Sequence, residues 1–285
     1  MVNPYIKSFL LDTLLLLPFM LILVFFIFIP FSVSLYYSLS DQSGSSLTLG
    51  NFIRIYSDRS YLNAIRNSIV ISLESAVLST LFGSLLAYAF TFLSPTVRDI
   101  IRSVLLLPII YPGLVIAFSL VILFGSSGVV TSMLLKYFGV YLPGIFDVRS
   151  YNGLILAYQS FLVGFTSITL SGVFLSLDRS IIEASRSLGA DVFQTIFRVV
   201  LPIVAPGLIA AFIQAFIIAI SGYGTALALV GGGGNLITLR IIMLISDVEY
   251  QPHLASALAM NIAIITIPLA LVYNRLLKKV VGGVV

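Results

Sequence analysis

Residues 178–208, DRSIIEASRSLGADVFQTIFRVVLPIVAPGL, decide how the rest of the chain is read. Only 9% of the protein's residues are charged, yet this stretch holds Asp178, Arg179, Glu183, Arg186, Asp191 and Arg198. Ile181, Ile182, Leu188, Val192, Phe193 and Ile196 recur at helical spacing, so one side of the segment is apolar and the other charged. Gly189 interrupts that pattern, and Pro202 stands near the start of a new apolar run. The spacing predicts a short amphipathic helix, a glycine turn, and a second helix that leads straight into a membrane.

Composition agrees with the last step. The chain has 285 residues, 59% of them hydrophobic, and a mean hydropathy of +1.13. A soluble domain carries about 25% charged residues. The expected fold is therefore an all-α polytopic membrane protein with a lipid bilayer as its solvent. Cysteine is absent, which removes disulfides, thiolate metal sites and a cysteine nucleophile. A single histidine, His253, leaves no imidazole cluster for catalysis or metal, and no cofactor is expected. The net charge of +4 reads as Lys and Arg flanking membrane spans rather than as nucleic-acid binding. The glycine run Gly231–Gly234 has no Gly-Lys-Ser/Thr after it, so it is no phosphate loop and reads as a mobile outer loop.

Six spans are expected, at about 10–39, 64–93, 103–124, 152–177, 199–221 and 254–276, in one transmembrane domain over 1–285. The loop 178–198 lies between the fourth and fifth. The first run is too long for a signal-peptide core and is read as a retained span. In the second, Ser68, Ser72, Ser75, Ser79, Gly83 and Ala87 form a small-residue stripe that lets another backbone approach. Pro108, Pro112 and Gly113 mark a bend in the third span, and Pro202, Pro206 and Gly207 one in the fifth. Residues 125–151 read as a short surface helix and a turn. Nine Lys/Arg fall on the side of the termini and six on the other, which favours cytoplasmic termini and a cytoplasmic 178–198 loop.

Glu74 is the one acid deep inside a span. It has two readings: a pathway wall that suits a cation, or a hydrogen bond to a neighbouring helix or subunit. Gln159, Gln214, Tyr223 and Asn261 are polar groups that either line a path or bond helix to helix.

Glu183-Ala184-Ser185, three residues, Gly189, nine residues, Val199-Val200-Leu201-Pro202 resembles the EAA loop of permease subunits in binding-protein-dependent ABC importers. That family's pattern is Glu-Ala-Ala, three residues, Gly, nine residues, Ile-x-Leu-Pro. Ser185 and Val199 are conservative departures. The resemblance extends more weakly along most of the chain, including Leu105 to Gly113.

The resemblance implies a cell-membrane, multi-pass subunit that forms half of a solute pathway and is not itself an enzyme. Its implied partners are two cytoplasmic ATP-binding subunits, a second permease subunit of the heterodimeric kind, and an extracytoplasmic solute-binding protein. Glu183 would anchor the ATPase contact, and Gly189 would allow the tight turn. Ile182, Leu188 and Phe193 would fill the ATPase groove or pack beneath the loop, and the connection through Leu201 and Pro202 would carry motion to the fifth span. Ser187-Leu188-Gly189 resembles the polyamine, iron and thiamine branch, implying a small polar solute; a sugar or oligosaccharide is the alternative. A different class stays open on composition alone. The chain holds no ATP-binding motif and no charged relay, so a passive or secondary carrier remains a reading.

Overall fold

The computed structural model describes residues 16–42, 44, 46–231 and 233–282. In hydrocarbon, a helix is one of the few ways to satisfy every backbone polar group within the segment, and long apolar runs become helices for that reason. Six stretches are long and apolar enough to cross a membrane: Leu16–Ser38, Arg59–Phe92, Gly113–Phe138, Tyr151–Leu175, Val192–Ile220 and Pro252–Leu277. No strand occurs among the described residues; one isolated bridge joins Ser40 and Leu47.

In chain order the helices are α1 Leu16–Ser38, α2 Gly50–Ser57, α3 Arg59–Ala89, α4 Pro95–Ile110, α5 Gly113–Phe124 and α6 Val129–Phe138. There follow α7 Tyr151–Leu175, α8 Arg179–Ser187, α9 Val192–Ile220, α10 Gly224–Val230, α11 Ile237–Ile245 and α12 Pro252–Gly282. Residues 10–15 of the expected first span, and Lys7 before it, lie outside the described residues.

Two expectations change. The third span is not continuous over 103–124. Helix α4 starts eight residues earlier and stops at Ile110, and the backbone is extended at Tyr111 and Pro112 before α5 begins. A residue before proline is pushed out of the helical region, and Pro112 has no N–H to donate, so the bend becomes a break. Pro108 is tolerated inside α4. The second change is around the run Gly231–Gly234, read as a mobile outer loop, which helices flank on both sides. Ala226, Leu229, Leu236 and Leu239 are buried in the main core, and between α10 and α11 the Gly234 N–H donates to the Gly231 carbonyl at 3.1 Å. Asn67 Nδ2 donates to the Asn235 carbonyl at 3.1 Å, and the Ile237 N–H donates to Ser68 Oγ at 2.9 Å.

The chain forms two compact units. The larger covers residues 63–240 and 262–285 and is organised on α7. Thr166 Oγ1 of α7 donates to the Ser79 carbonyl of α3 at 2.7 Å. A Cβ on Gly83 would lie 2.0 Å from Thr166 Oγ1, and one on Gly164 would lie 2.6 Å from the Leu105 carbonyl of α4. Gly207 of α9 meets Val173 in the same way. The small-residue stripe of α3 is thus buried against α7: Ser68, Ser72, Ser75, Ser79, Gly83 and Ala87 all lie inside. Close approach of backbones, rather than exclusion of apolar surface from water, is what holds such helices in lipid.

The smaller unit covers residues 1–62 and 241–261. Asn51 Nδ2 donates to the Ser38 and Ser40 carbonyls, which ties α2 to the end of α1. Ser40 Oγ and His253 Nδ1 are 3.0 Å apart, and the His253 ring packs on Tyr37.

Candidate functional site

The 178–198 loop is built from two capped helices and one glycine. Asp178 caps α8: its carboxylate accepts from the Ser180 N–H at 2.9 Å. The backbone N–H and the hydroxyl of Ser180 hold the Asp178 carboxyl below the usual carboxylate range. Asp191 caps α9 by accepting from the Gln194 N–H at 2.7 Å. Each cap satisfies a donor that a helix start leaves without a partner.

Between them, Gly189 takes φ +87°. The Ala190 N–H donates to the Ser185 carbonyl at 3.2 Å and the Gly189 N–H to the Arg186 carbonyl at 2.9 Å. This pair is the Schellman arrangement, which ends a helix through a left-handed residue. An L side chain pays roughly 1–2 kcal/mol there. Ser185, where the family pattern has alanine, shares a 3.2 Å hydrogen bond between its Oγ and buried Thr195 Oγ1, tying α8 to α9.

The apolar face of the loop divides in two. Ile182 packs against the cluster of Leu170, Phe174, Val200 and Val204 and seats α8 on the bundle. Leu188 and Phe193 stand out, 89% and 74% exposed, one on each side of Gly189. Glu183 and Ala184 are exposed as well. Beneath α8 lies a cavity of about 370 Å³ lined by Tyr88, Phe92, Arg98, Phe174, Glu183 and Arg186 among others. Arg98 is fixed there by its Nε to the Phe90 carbonyl at 2.9 Å and its Nη2 to the Leu93 carbonyl at 3.0 Å. Sequence spacing did not single out Arg98, because it lies far from the loop in the chain; nor were the two aspartates read as caps, although Asp before a helical pattern is the usual signal.

Beyond the loop, α9 opens with a π turn over Ile196–Val200, closed by the Leu201 N–H to the Ile196 carbonyl. Pro202 follows directly, and its ring would clash with the Arg198 carbonyl in a regular helix. The wider turn gives that carbonyl room. Leu201 and Pro202 are exposed, and Pro206 sits inside the helix.

The remaining candidates are not gathered in one place. Gln159 Nε2 donates to the Ser75 carbonyl of α3 at 3.3 Å, and Gln214 Oε1 accepts from Thr169 Oγ1 at 3.4 Å. Buried Asn261 accepts from the Tyr56 hydroxyl and donates to the Ala257 carbonyl. Tyr223 is half-buried at the start of α10 and packs on the main core. Gln159, Gln214 and Asn261 thus act as helix-to-helix bonds. Glu74 differs, being exposed.

The family described as the binding-protein-dependent transport system inner membrane component matches residues 79–284, well over half of the chain. A ferric transport system permease protein of Actinobacillus pleuropneumoniae is 28% identical over 82% of this chain, which spans 33% of that protein's length. A spermidine/putrescine transport system permease protein of Haemophilus influenzae is 26% identical over 82% of both chains. Among solved structures, a bacterial ABC transporter involved in alginate import matches with a TM-score of 0.72 at 20% identity, over 96% of this chain and 97% of that one. At that identity it shows the fold. Together with the family match, the six apolar spans among the described residues mark a multi-pass membrane protein, and the chain belongs to the binding-protein-dependent transport system inner membrane component family.

Proposed function

We propose that residues 1–285 act as one permease domain, forming half of the translocation pathway of an ATP-driven importer. A separate ATPase subunit is its motor. The observation that carries this is the 178–198 loop, where two large apolar side chains stand exposed around a capped glycine turn, next to an exposed Glu183. Leu188 and Phe193 fit a groove on the ATPase, Glu183 anchors its edge, and the continuous α9 carries the motion past Leu201 and Pro202 into the membrane. Rocking of two such subunits gives alternating access. The termini and the loop are then cytoplasmic, and an outer solute-binding protein delivers the solute. A second, different permease chain completes the pore. A small polar solute of the polyamine, metal or vitamin kind fits the relatives named as ferric and spermidine/putrescine permeases better than a sugar does.

The test is Gly189→Asp in the full chain, expressed with its neighbouring transport genes. The expected protein inserts normally but no longer co-purifies with a driven ATPase, and ATP-dependent uptake is lost. Wild-type uptake in that variant would sink the coupling role. Uptake by the purified chain in vesicles without ATP would favour a secondary carrier instead.

A further inference from the structure

We infer that Glu74 faces the water-filled solute path and selects for an organic cation bearing an amine. This rests on the transport reading above and adds the substrate class to it. Glu74 is the sixteenth residue of the 31 in α3, its midpoint. At about 1.5 Å per residue that is roughly 22 Å from either end, inside the hydrocarbon depth. No other Asp or Glu occurs in any of the six described spans. The side chain is exposed and makes no hydrogen bond or ion pair among the described residues.

Helix α3 cannot turn to hide it. The opposite face is locked by Gly83 against Thr166, by the Thr166 bond to the Ser79 carbonyl, and by Ser68 bonding the start of α11. Around Glu74 the exposed neighbours are Val70, Leu73, Val77 and Leu81. Facing lipid, a charged acid is strongly disfavoured. Pressed into a dry subunit interface among those aliphatic groups, most of the carboxylate's acceptor sites would go unfilled, and a single ion pair does not repay that desolvation. A hydrated surface meets neither cost.

The chemistry of the solute follows from what accompanies the acid. Within the described spans the Lys and Arg lie nearer the ends than the middle, so the charge these spans carry at mid-membrane is negative, which repels an anion. A bare divalent metal needs several ligands, and the described residues hold no cluster of three or more His, Cys, Asp or Glu. One carboxylate on an aliphatic wall matches one ammonium on an alkyl chain.

The test labels the full complex, purified from native membranes without ATP, with a hydrophobic carbodiimide, and reads Glu74 by peptide mass spectrometry. Putrescine is the probe, and sodium sulfate at equal ionic strength is the control. Labelling at Glu74 is expected to fall about threefold when putrescine is at twice its half-saturating concentration, with no protection by the control. Glu74→Asp should keep the protected label, while Glu74→Gln should remove it and weaken amine uptake more than ATPase coupling. Labelling that putrescine does not slow overturns the inference. So does a Glu74 labelled in the isolated chain but sealed in the complex, which would mark it as a subunit contact. Because the label is read without ATP, loss of ATPase coupling in the Gly189→Asp variant leaves this result intact, and the two readings fail separately.

Discussion

At Gly189 the whole loop turns on one backbone angle. Nothing lies within 4 Å of where a Cβ would be, so space does not require glycine; φ +87° does. Asparagine tolerates this region better than alanine or aspartate in a Schellman turn and is the mildest replacement. Asp178 supplies a second residue-scale prediction. Its carboxyl is held below the usual range in the folded loop, so its contribution is present above the unfolded value and is lost as pH falls through the folded one. Protection of the Ser180 amide from hydrogen exchange, taken relative to the intrinsic rate at each pH, should fall on acidification below the ordinary carboxylate range. In Asp178→Asn the same amide should show no such acid step. Residues of this kind were legible when their signal was local: Glu183, Ser185, Gly189 and Pro202 lie in one short stretch. Arg98, which reaches the same cavity from the first turn of α4, had no signal in its own neighbourhood.

At the scale of elements, spans were easy to read because length and apolarity alone force a helix in hydrocarbon. Their interruptions were harder. Tyr111-Pro112 was seen as a bend and is a break, because two adjacent residues leave the helical region together. The 223–253 segment was read from its glycines, whereas the apolar residues on both sides, from Ala226 to Leu229 and from Leu236 to Leu239, decide its place in the core. Packing of α3 on α7 yields a paired test. Gly83→Val should overpack the contact with Thr166 and destabilise the bundle by about 1–3 kcal/mol. Gly172→Ala, on the same α7 but with nothing within 4 Å of its Cβ position, should be near neutral. Thermal unfolding of the two variants in detergent gives the comparison; equal stability would contradict the close-packed α3–α7 seam.

For the molecule as a whole, Leu188 just before the fifth span and Phe193 at its very start present exposed apolar surface. Covering each is worth roughly 1.5–3 kcal/mol. A partner that covers both should raise the unfolding temperature of the full chain by mass action. The double variant Leu188→Asp, Phe193→Asp should show no rise when the co-purified ATPase subunit is added back, while its own unfolding temperature stays close to the wild type. An equal rise in both proteins would place the contact elsewhere. The six-span architecture was legible from composition, but the division into two compact units was not, since it depends on pairings such as Ser40 with His253 and Tyr56 with Asn261 that are distant in sequence.

The two aspartate caps and the single left-handed glycine have a mechanical meaning. A push delivered at one end of a linkage arrives at the other only if little of it is absorbed between. Loops absorb displacement through residues free to rotate, and here nearly every backbone angle from Asp178 to Ile220 belongs to a closed hydrogen-bonded turn. Compliance is therefore concentrated at Gly189 and at the π turn before Pro202. A stiffer or slacker substitution at either place should change how far a movement travels before it changes whether the protein folds.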